Sequence, residues 1–214
     1  MKVALTGGIA CGKSLLSRYL NELGVETIDA DDIVHELSPD PAERRRIAAE
    51  VFADPVKRRE LEARLHPLVK ARIDAAFLRQ SEAAFERQGE VAFDRQAAQA
   101  EILKSEILKS EILKTPPKKI LIAIIPLLFE THWDAEYDII CTVISSPEKQ
   151  VERMMTTRGY SRAEAEARLA AQLPVSEKAA RSHYVIRNDA TPEMLRQEAE
   201  KFVAWLQEKQ QQSS

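Results

Sequence analysis

Cysteine is scarce in this 214-residue sequence, and neither sign of charge dominates it. Two cysteines, Cys11 and Cys141, cannot build a disulfide framework or a cysteine-based metal site, so we expect a reducing, cytoplasmic environment. A net charge of −3 argues against non-specific binding to nucleic acid. The longest apolar run, residues 120–129, is interrupted by Pro126 and is too short to cross a bilayer, so we expect no membrane partner.

The remaining pattern is that of a globular α/β protein. Hydrophobic residues make up 44% of the chain and charged residues 30%, which is enough apolar side chain to bury a core. Short apolar segments, predicted as strands, cover residues 3–6, 25–29, 120–125, 139–144 and 184–186. Between them, helices are predicted to begin at Lys13, at Asp31 or Asp32, at Pro147 and at Pro192. This alternation predicts a parallel sheet with helices on both faces.

The middle of the chain has a different character. Residues 40–114 contain no convincing strand and are predicted to be helical. Within them, residues 101–114 repeat the unit Glu-Ile-Leu-Lys-Ser nearly three times. On a helix, a five-residue step turns successive Ile-Leu pairs by about 140°, so the pairs form no single apolar stripe. We interpret the repeat as a low-complexity helical expansion without chemistry of its own; a partner-binding helix is the alternative.

A phosphate-binding loop is predicted close to the N-terminus. Residues 7–14 read Gly-Gly-Ile-Ala-Cys-Gly-Lys-Ser and match the P-loop pattern, between a predicted strand and a predicted helix. Such a loop wraps a polyphosphate in backbone N–H groups and leads into a helix N-terminus, whose dipole favours anions. We expect Lys13 to reach the β- and γ-phosphates of ATP and act in catalysis, and the Ser14 hydroxyl to bind Mg²⁺. The predicted nucleotide-binding residues here are Gly7, Gly8, Ala10, Cys11, Gly12, Lys13, Ser14 and Leu15.

Two further groups of polar residues could complete a kinase site. The sequence has no Asn-Lys-x-Asp motif of the kind that reads guanine in GTPases, which favours a kinase. Asp29 and Asp31 lie at the end of the second predicted strand, where ligands bind in open parallel sheets; capping of the next helix is the alternative. A lid over the phosphates is predicted from Gln150, Arg153, Arg158, Arg168 and Gln172, on two helices that meet at Gly159. Arg153 is predicted to act in catalysis and Arg158 to bind the nucleotide, and a solvated charged face is the alternative for either.

Together these segments resemble one family, the dephospho-coenzyme A kinases. The resemblance covers roughly residues 1–35, 43–72 and 119–210. Its motifs are Ala4 to Ser14, Asp29-Ala30-Asp31, Leu65-His66-Pro67-Leu68-Val69, Pro126-Leu127-Leu128-Phe129-Glu130, Gln150 with Arg153 and Arg158, Ala171-Gln172, and Tyr184-Val185-Ile186 with Asn188. Each motif is short, and their order and spacing make the resemblance specific.

The resemblance implies ATP-dependent phosphorylation of the ribose 3′-hydroxyl of dephospho-coenzyme A, which gives coenzyme A and ADP with Mg²⁺. It implies that Asp31 is the base or orienting group for that hydroxyl, and that Asp29, Asp31 and His66 bind the acceptor. For His66 alone, a core histidine before a helix-starting proline is the commoner explanation. Two rival functions stay open: another small-molecule or nucleotide P-loop kinase, and a nucleotide-binding scaffold without transferase activity.

The predicted architecture is a P-loop NTPase α/β fold with an inserted helical substrate subdomain and a lid. We expect a kinase core at residues 1–33 and 115–214, with the lid at 153–172. Residues 34–80 are predicted to form the acceptor-binding subdomain and 81–114 an extra helical, low-complexity segment. The expected assembly is a monomer or a weak homo-oligomer.

Three loop residues depart from the family pattern. Ala10, Cys11 and Leu15 stand where Gly, Ser and Thr are usual. Ala10 fits the loop at little cost only if its φ is negative. Cys11 precedes a helix N-terminus beside Lys13, which favours a thiolate, so we expect it to be more reactive than Cys141 and protected by ATP.

Overall fold

The computed structural model of the protein describes residues 1–37, 40, 42, 46, 47, 50, 54–88 and 120–212. Its strands are β1 (Val3–Gly7), β2 (Glu26–Asp29), β3 (Leu121–Ile124), β4 (Ile139–Ile144) and β5 (Tyr184–Arg187). They form one parallel sheet in the order β2-β3-β1-β4-β5. This sheet confirms the predicted α/β fold, and the predicted strands are correct to within a residue or two.

Helices flank the sheet on both faces. In the described residues they are α1 (Lys13–Glu22), α2 (Ala30–Leu37), α3 (Pro55–Gln88), α4 (Pro147–Arg158), α5 (Arg162–Ala170), α6 (Val175–Ala180) and α7 (Pro192–Gln212), with a 3₁₀ turn at Asp134–Glu136. The Glu-Ile-Leu-Lys-Ser repeat at 101–114 lies outside the described residues. None of the helices described combines the length and apolar character that a bilayer span requires.

Local sequence signals position the two helices of the predicted lid. Ser146 caps α4 by accepting a hydrogen bond from the Lys149 N–H, and Pro147 occupies the first turn. Gly159 ends α4 in the left-handed conformation, with φ +68°. Ser161 then opens α5 with a capping box. The predicted pair of helices meeting at Gly159 is therefore confirmed.

Two hydrophobic clusters cover the two faces of the sheet. On one face, α1 and α7 pack through the fully buried Leu16, Leu20, Phe202 and Leu206. Those contacts bury the helices along one apolar side each.

On the other face, α3 contributes a buried stripe. Val69, Ile73 and Phe77 follow one another at four-residue steps and pack with residues of β3 and β4. This part of the predicted acceptor-binding segment therefore also belongs to the main core. The expectation that Pro67 starts a helix is wrong, because Pro67 lies inside α3. An interior proline costs about 3 kcal/mol, which burial of the stripe that follows it offsets.

We predict that Ile73→Ala lowers the free energy of unfolding by about 2–5 kcal/mol, because it leaves a cavity in this stripe. Ile73 is 1% exposed, whereas Leu78 on the same helix is 62% exposed. Leu78→Ala is the matched control and should change stability by less than about 0.5 kcal/mol. Denaturant titration of both variants checks this; equal, small effects would mean that α3 does not pack on the sheet.

Candidate active site

The residues that could bind ligand or act in catalysis lie at one edge of the sheet. All strands are parallel, so their carboxyl ends share this edge. The P-loop follows β1, Asp29 ends β2, Ser145 follows β4 and Asn188 follows β5. Open parallel sheets bind ligands at this edge. The sheet therefore brings together the two predicted halves of the site, the phosphate loop and the aspartates.

Close backbone approach explains two glycines of the P-loop. Gly12 caps α1 with φ +94°, and a Cβ there would collide with the Asn188 side chain. Gly7 has φ +149°, and a Cβ there would collide with the Val143 carbonyl. Both positions therefore require glycine.

Lys13 points back over the loop that it follows. Its Nζ donates hydrogen bonds to the carbonyl oxygens of Gly7 and Gly8, both at 2.9 Å. Burial lowers the pKa of Lys13, and the charge of Lys178 lowers it further, against the raising influence of Cys11, Asp31 and Asp29. A phosphate beside the ammonium group would favour its charged form. The local electrostatics therefore suit an anionic ligand.

Two glutamines of the predicted lid bind one peptide unit of the P-loop. Gln150 Nε2 donates to the Ile9 carbonyl at 2.7 Å, and Gln150 is only 2% exposed. The Ile9 N–H donates to Gln172 Oε1 at 2.9 Å. Both hydrogen-bonding groups of Ile9 are thus held by side chains more than 140 residues away along the chain.

Two further side chains bind the next carbonyl groups. Arg153 donates to the Ala10 carbonyl at 3.2 Å and also to Ser145 Oγ and the Asn188 carbonyl, at 2.8 and 2.7 Å. Asn188 Nδ2 donates to the Cys11 carbonyl at 2.8 Å. With the glutamines, these residues form what we call the loop clamp: Gln150, Arg153, Gln172 and Asn188. The clamp residues, which lie in other parts of the chain, bind the loop carbonyls. The first N–H groups of α1 have no partner within the helix and can therefore bind phosphate.

Two loop residues depart from what the local sequence favours, Ala10 in its backbone conformation and Cys11 in its burial. Ala10 has φ +57°, so the condition of a negative φ is not met. The left-handed conformation costs an alanine about 1–2 kcal/mol, and the Arg153 hydrogen bond to its carbonyl helps to hold it. Cys11 is fully buried, and burial raises the pKa of its thiol despite the charge of Lys13. Burial raises the pKa of Cys141 well above its usual range, so the expected order of reactivity, with Cys11 above Cys141, and the protection of Cys11 by ATP remain predictions.

Asp29 makes the contact expected of a helix cap. Its Oδ1 accepts a hydrogen bond from the Asp31 N–H at 2.9 Å, at the start of α2. Burial raises the pKa of Asp29, and the charges of Asp31 and Asp32 raise it further, although the Asp31 N–H opposes the shift. Asp31 is exposed on the first turn of α2. Asp29 therefore fixes the helix start, and Asp31 is free to meet a ligand.

The other predicted lid residues lie farther out. Arg158 is exposed in the last turn of α4, and the Arg168 guanidinium lies 4.4 Å from the Tyr160 ring centroid. A cavity of about 530 Å³, within the usual range for ligand sites, lies among α4, α5 and residues 172–176 and reaches the P-loop at Gly8.

His66 is half-buried in α3. Its ring meets Trp133 edge-on, with centroids 5.4 Å apart. In the part of the chain that the structure describes, no hydrogen bond or ion pair joins His66 or Arg158 to the P-loop. Their predicted binding roles therefore remain predictions.

Magnesium fits the donors available at this edge. The described residues include no group of three or more His, Cys, Asp or Glu that could hold a metal alone. Mg²⁺ commonly takes phosphate oxygens and waters with only one or two protein oxygens. Ser14 is exposed at the start of α1, and Asp29 and Asp31 add carboxylate oxygens at the same edge. These hard oxygen donors suit a magnesium ion bound together with a nucleotide.

A buried ion pair beside the site was missed by sequence reasoning. Lys178 is 0% exposed, and its Nζ lies 2.7 Å from Glu130 Oε1. Lys178 sits in an ordinary Ser-Glu-Lys-Ala segment, which gives no signal of burial. Glu130 and Asn188 belong to motifs that resemble the family, but the sequence analysis predicts no role for either residue.

Comparison with known proteins agrees with this geometry. Residues 1–43 and 96–193 match the sequence profile of the family described as dephospho-CoA kinase. The dephospho-CoA kinase of Geobacter sulfurreducens is 34% identical, over 94% of this chain and 96% of its own length. The chain belongs to the dephospho-CoA kinase family. The resemblance seen in the sequence is thereby confirmed.

Other members of the dephospho-CoA kinase family and related folds are similar over most of their length. The Carboxydothermus hydrogenoformans dephospho-CoA kinase is 33% identical, over 92% of this chain and 89% of its own. The solved structure of TT1252 from Thermus thermophilus matches with a TM-score of 0.64 and 26% identity, over 96% and 97% of the two chains. A shikimate kinase from Acinetobacter baumannii, at TM-score 0.51 and 15% identity over 97% and 93% of the chains, shares the fold.

We predict that Asn188→Asp in this dephospho-CoA kinase family member weakens ATP binding about tenfold. The change replaces the donor to the Cys11 carbonyl by an acceptor, and a buried carbonyl left unpaired costs about 1–3 kcal/mol. Gln207→Glu is the control, because it also adds one negative charge but does so at an exposed residue of α7. Calorimetric titration with ATP checks this; an unchanged Kd would show that the clamp does not shape the loop.

We also predict that Asp29→Asn raises the free energy of unfolding at pH 7. Because the pKa of Asp29 is raised, the folded protein holds this proton more tightly than the unfolded chain, and stability falls as pH rises above the ordinary Asp pKa of about 3.9. Asparagine keeps the acceptor for the Asp31 N–H without the charge. The gain should shrink as the pH is lowered towards about 4. Denaturant titrations across this range check it, and lower stability at pH 7 would contradict it.

Proposed function

We propose that the protein transfers the γ-phosphoryl group of ATP to the ribose 3′-hydroxyl of dephospho-coenzyme A, giving coenzyme A and ADP. The observation that carries the proposal is a P-loop and an Asp-Ala-Asp pair at one sheet edge. They occur in a chain that aligns over 94% of its length with a dephospho-CoA kinase. The phosphate loop supplies the donor half of such a site, and the aspartates supply the acceptor half.

Lys13 and the loop bind the phosphates in this proposal. An ammonium group has three donors, and two of those of Lys13 bind the Gly7 and Gly8 carbonyls. The third donor is left for a β- or γ-phosphate oxygen. Ser14 and an aspartate oxygen would hold Mg²⁺, which neutralises phosphate charge when bound. Catalysis then rests mainly on positioning and charge stabilisation.

Asp31 is proposed to orient the 3′-hydroxyl and accept its proton. It is exposed, so a ligand can reach it, and Asp29 fixes its backbone through the cap. Asp29 is therefore proposed as the positioning partner of Asp31. Arg153, predicted from the sequence to act in catalysis, is proposed instead to hold the loop, since its guanidinium is occupied by Ala10, Ser145 and Asn188.

The outer residues complete the proposal. Arg158, exposed at the end of α4, is proposed to bind the nucleotide phosphates from the lid. His66 would line the acceptor side with α3. Two buried cysteines suit a reducing cytoplasm, where we place the enzyme as a monomer or weak homo-oligomer.

An acceptor panel tests the function directly. We predict ADP release from Mg-ATP with dephospho-coenzyme A, well above the rates with AMP or shikimate. Phosphorus NMR of the product should show a new phosphomonoester on the ribose. Release with another acceptor alone would favour the rival small-molecule kinase, and tight ATP binding without transfer to any acceptor would favour the scaffold.

Two substitutions test the assigned roles in the same assay. We predict that Lys13→Ala and Asp31→Asn each lower kcat about 10²-fold or more, because each removes a group that acts on the reacting atoms. Asp32→Asn, on the neighbouring exposed residue, is the matched control and should keep most of the activity. Melting curves verify folding. A Lys13→Ala variant with more than about a tenth of wild-type turnover would remove Lys13 from the central role.

A further inference from the structure

Lys178 is a buried cation that the proposed mechanism does not use. Its side chain in α6 has no exposed surface. A buried charge is costly unless partners surround it. The Lys178 ammonium pairs with Glu130 Oε1 at 2.7 Å and donates to the Pro126 carbonyl at 3.2 Å. Both partners lie on the loop that follows β3, so these contacts join α6 to that loop.

The same carboxylate oxygen also anchors the chain where it leaves the lid. Glu130 Oε1 accepts a hydrogen bond from the Leu173 N–H at 3.2 Å. One oxygen therefore binds both ends of residues 173–178. The residue before this segment, Gln172, belongs to the loop clamp and binds the Ile9 N–H. Residues 173 and 178, the two ends of this segment, are therefore bound to the loop after β3. The residue just before the segment, Gln172, is bound to the P-loop.

The loop after β3 adjoins the acceptor half of the site. Asp29 pairs in register with Ile124, two residues before Pro126. The Pro126 carbonyl also accepts a hydrogen bond from Thr6 Oγ1 in β1, at 3.3 Å. Strands β1 and β3 and helix α6 therefore meet at Pro126, between the P-loop and the aspartates.

Stability alone explains this ion pair poorly. Glu130 Oε2 is buried and has no hydrogen-bond partner in the described structure, which is an unfavourable state for a carboxylate oxygen. Buried ion pairs can often be replaced by apolar residues without loss of stability. Lys178 also acts electrostatically on the site, since its charge adds to the effect of burial in lowering the pKa of Lys13. Such a pair is better explained by what it positions.

We infer that Lys178 and Glu130 are positioning residues that hold the phosphate-binding half of the site in register with the acceptor half. The inference rests on the proposed function, because this register matters when a phosphoryl group passes between the two halves. Lys178 is fully buried and acts through Gln172 and the loop after β3, not by contact with substrate. A misplacement of about 1 Å can lower a rate about 10²-fold.

The test compares Lys178→Met, Glu130→Leu and the double variant. Each single change leaves a buried charge unpaired, so we expect a lower Tm and a lower kcat. The double variant removes both charges, so its Tm should return towards the wild-type value. Its kcat should stay at least about tenfold low while the Kd for ATP changes by less than about threefold. Wild-type kcat in a double variant with wild-type Tm would overturn the inference, because the pair would then be only structural.

A second ion pair lies nearby, between the residue after α6 and the 3₁₀ turn, and provides the control. Arg181 and Asp134 are 2.8 Å apart and partly exposed, and the Arg181 guanidinium lies 4.3 Å from the Phe129 ring centroid. Asp134→Asn removes this pair without disturbing the stacked guanidinium and should leave kcat within about twofold of wild type, because partly exposed pairs contribute little and this one does not bind Leu173 or Pro126. If the double variant does not fold, Glu130→Gln decides: a lower kcat at unchanged ATP Kd supports the inference, and an unchanged kcat overturns it. Should wild type release ADP only with another acceptor, the proposed function fails and the same comparison is made with that acceptor.

Discussion

The loop clamp is the interaction on which the rest of the site depends. A phosphate-binding loop needs a backbone that is neither helix nor strand, and its polar groups must be satisfied without turning its N–H groups away from the ligand. Here side chains from residues 150, 153, 172 and 188 satisfy the N–H of Ile9 and the carbonyls of residues 9–11. The loop is therefore shaped by distant parts of the chain, not by its own sequence alone.

This constraint accounts for several features elsewhere in the fold. Helix α4 carries two clamp residues, and its Ser146 cap fixes where that helix begins relative to β4. Helices α4 and α5 share a small apolar cluster, built on Val151, Met154 and Ala165, against which the loop residues Ile9 and Ala10 pack. Polar and apolar contacts thus act together, because the cluster brings the lid close enough for the glutamines to reach the loop.

Local sequence signals predicted much of this arrangement. The P-loop spacing, the Ser146-Pro147 cap and the Gly159 turn depend on neighbouring residues, and the structure confirms them. The prediction that Pro67 starts a helix was wrong because burial along α3, a tertiary effect, outweighs the local cost of an interior proline. Cys11 differs from expectation for a related reason: its neighbours favour a thiolate, but burial in the fold raises the pKa of the thiol. The Lys178–Glu130 pair could not be predicted, because its partners are 48 residues apart and the segment around Lys178 carries no pattern that signals burial.

Hydrogen exchange at single amides tests most directly whether the loop is held in shape before nucleotide arrives. In the protein without nucleotide, we predict that the Ile9 amide exchanges at least about tenfold more slowly than in an unstructured peptide, because it is bound to Gln172 Oε1. Gln172→Ala should abolish this protection, while the Leu16 amide, bound to the Gly12 carbonyl in α1, stays protected and serves as the internal control. Exchange of the Ile9 amide at the unstructured rate in the wild-type protein would contradict a loop held by the clamp.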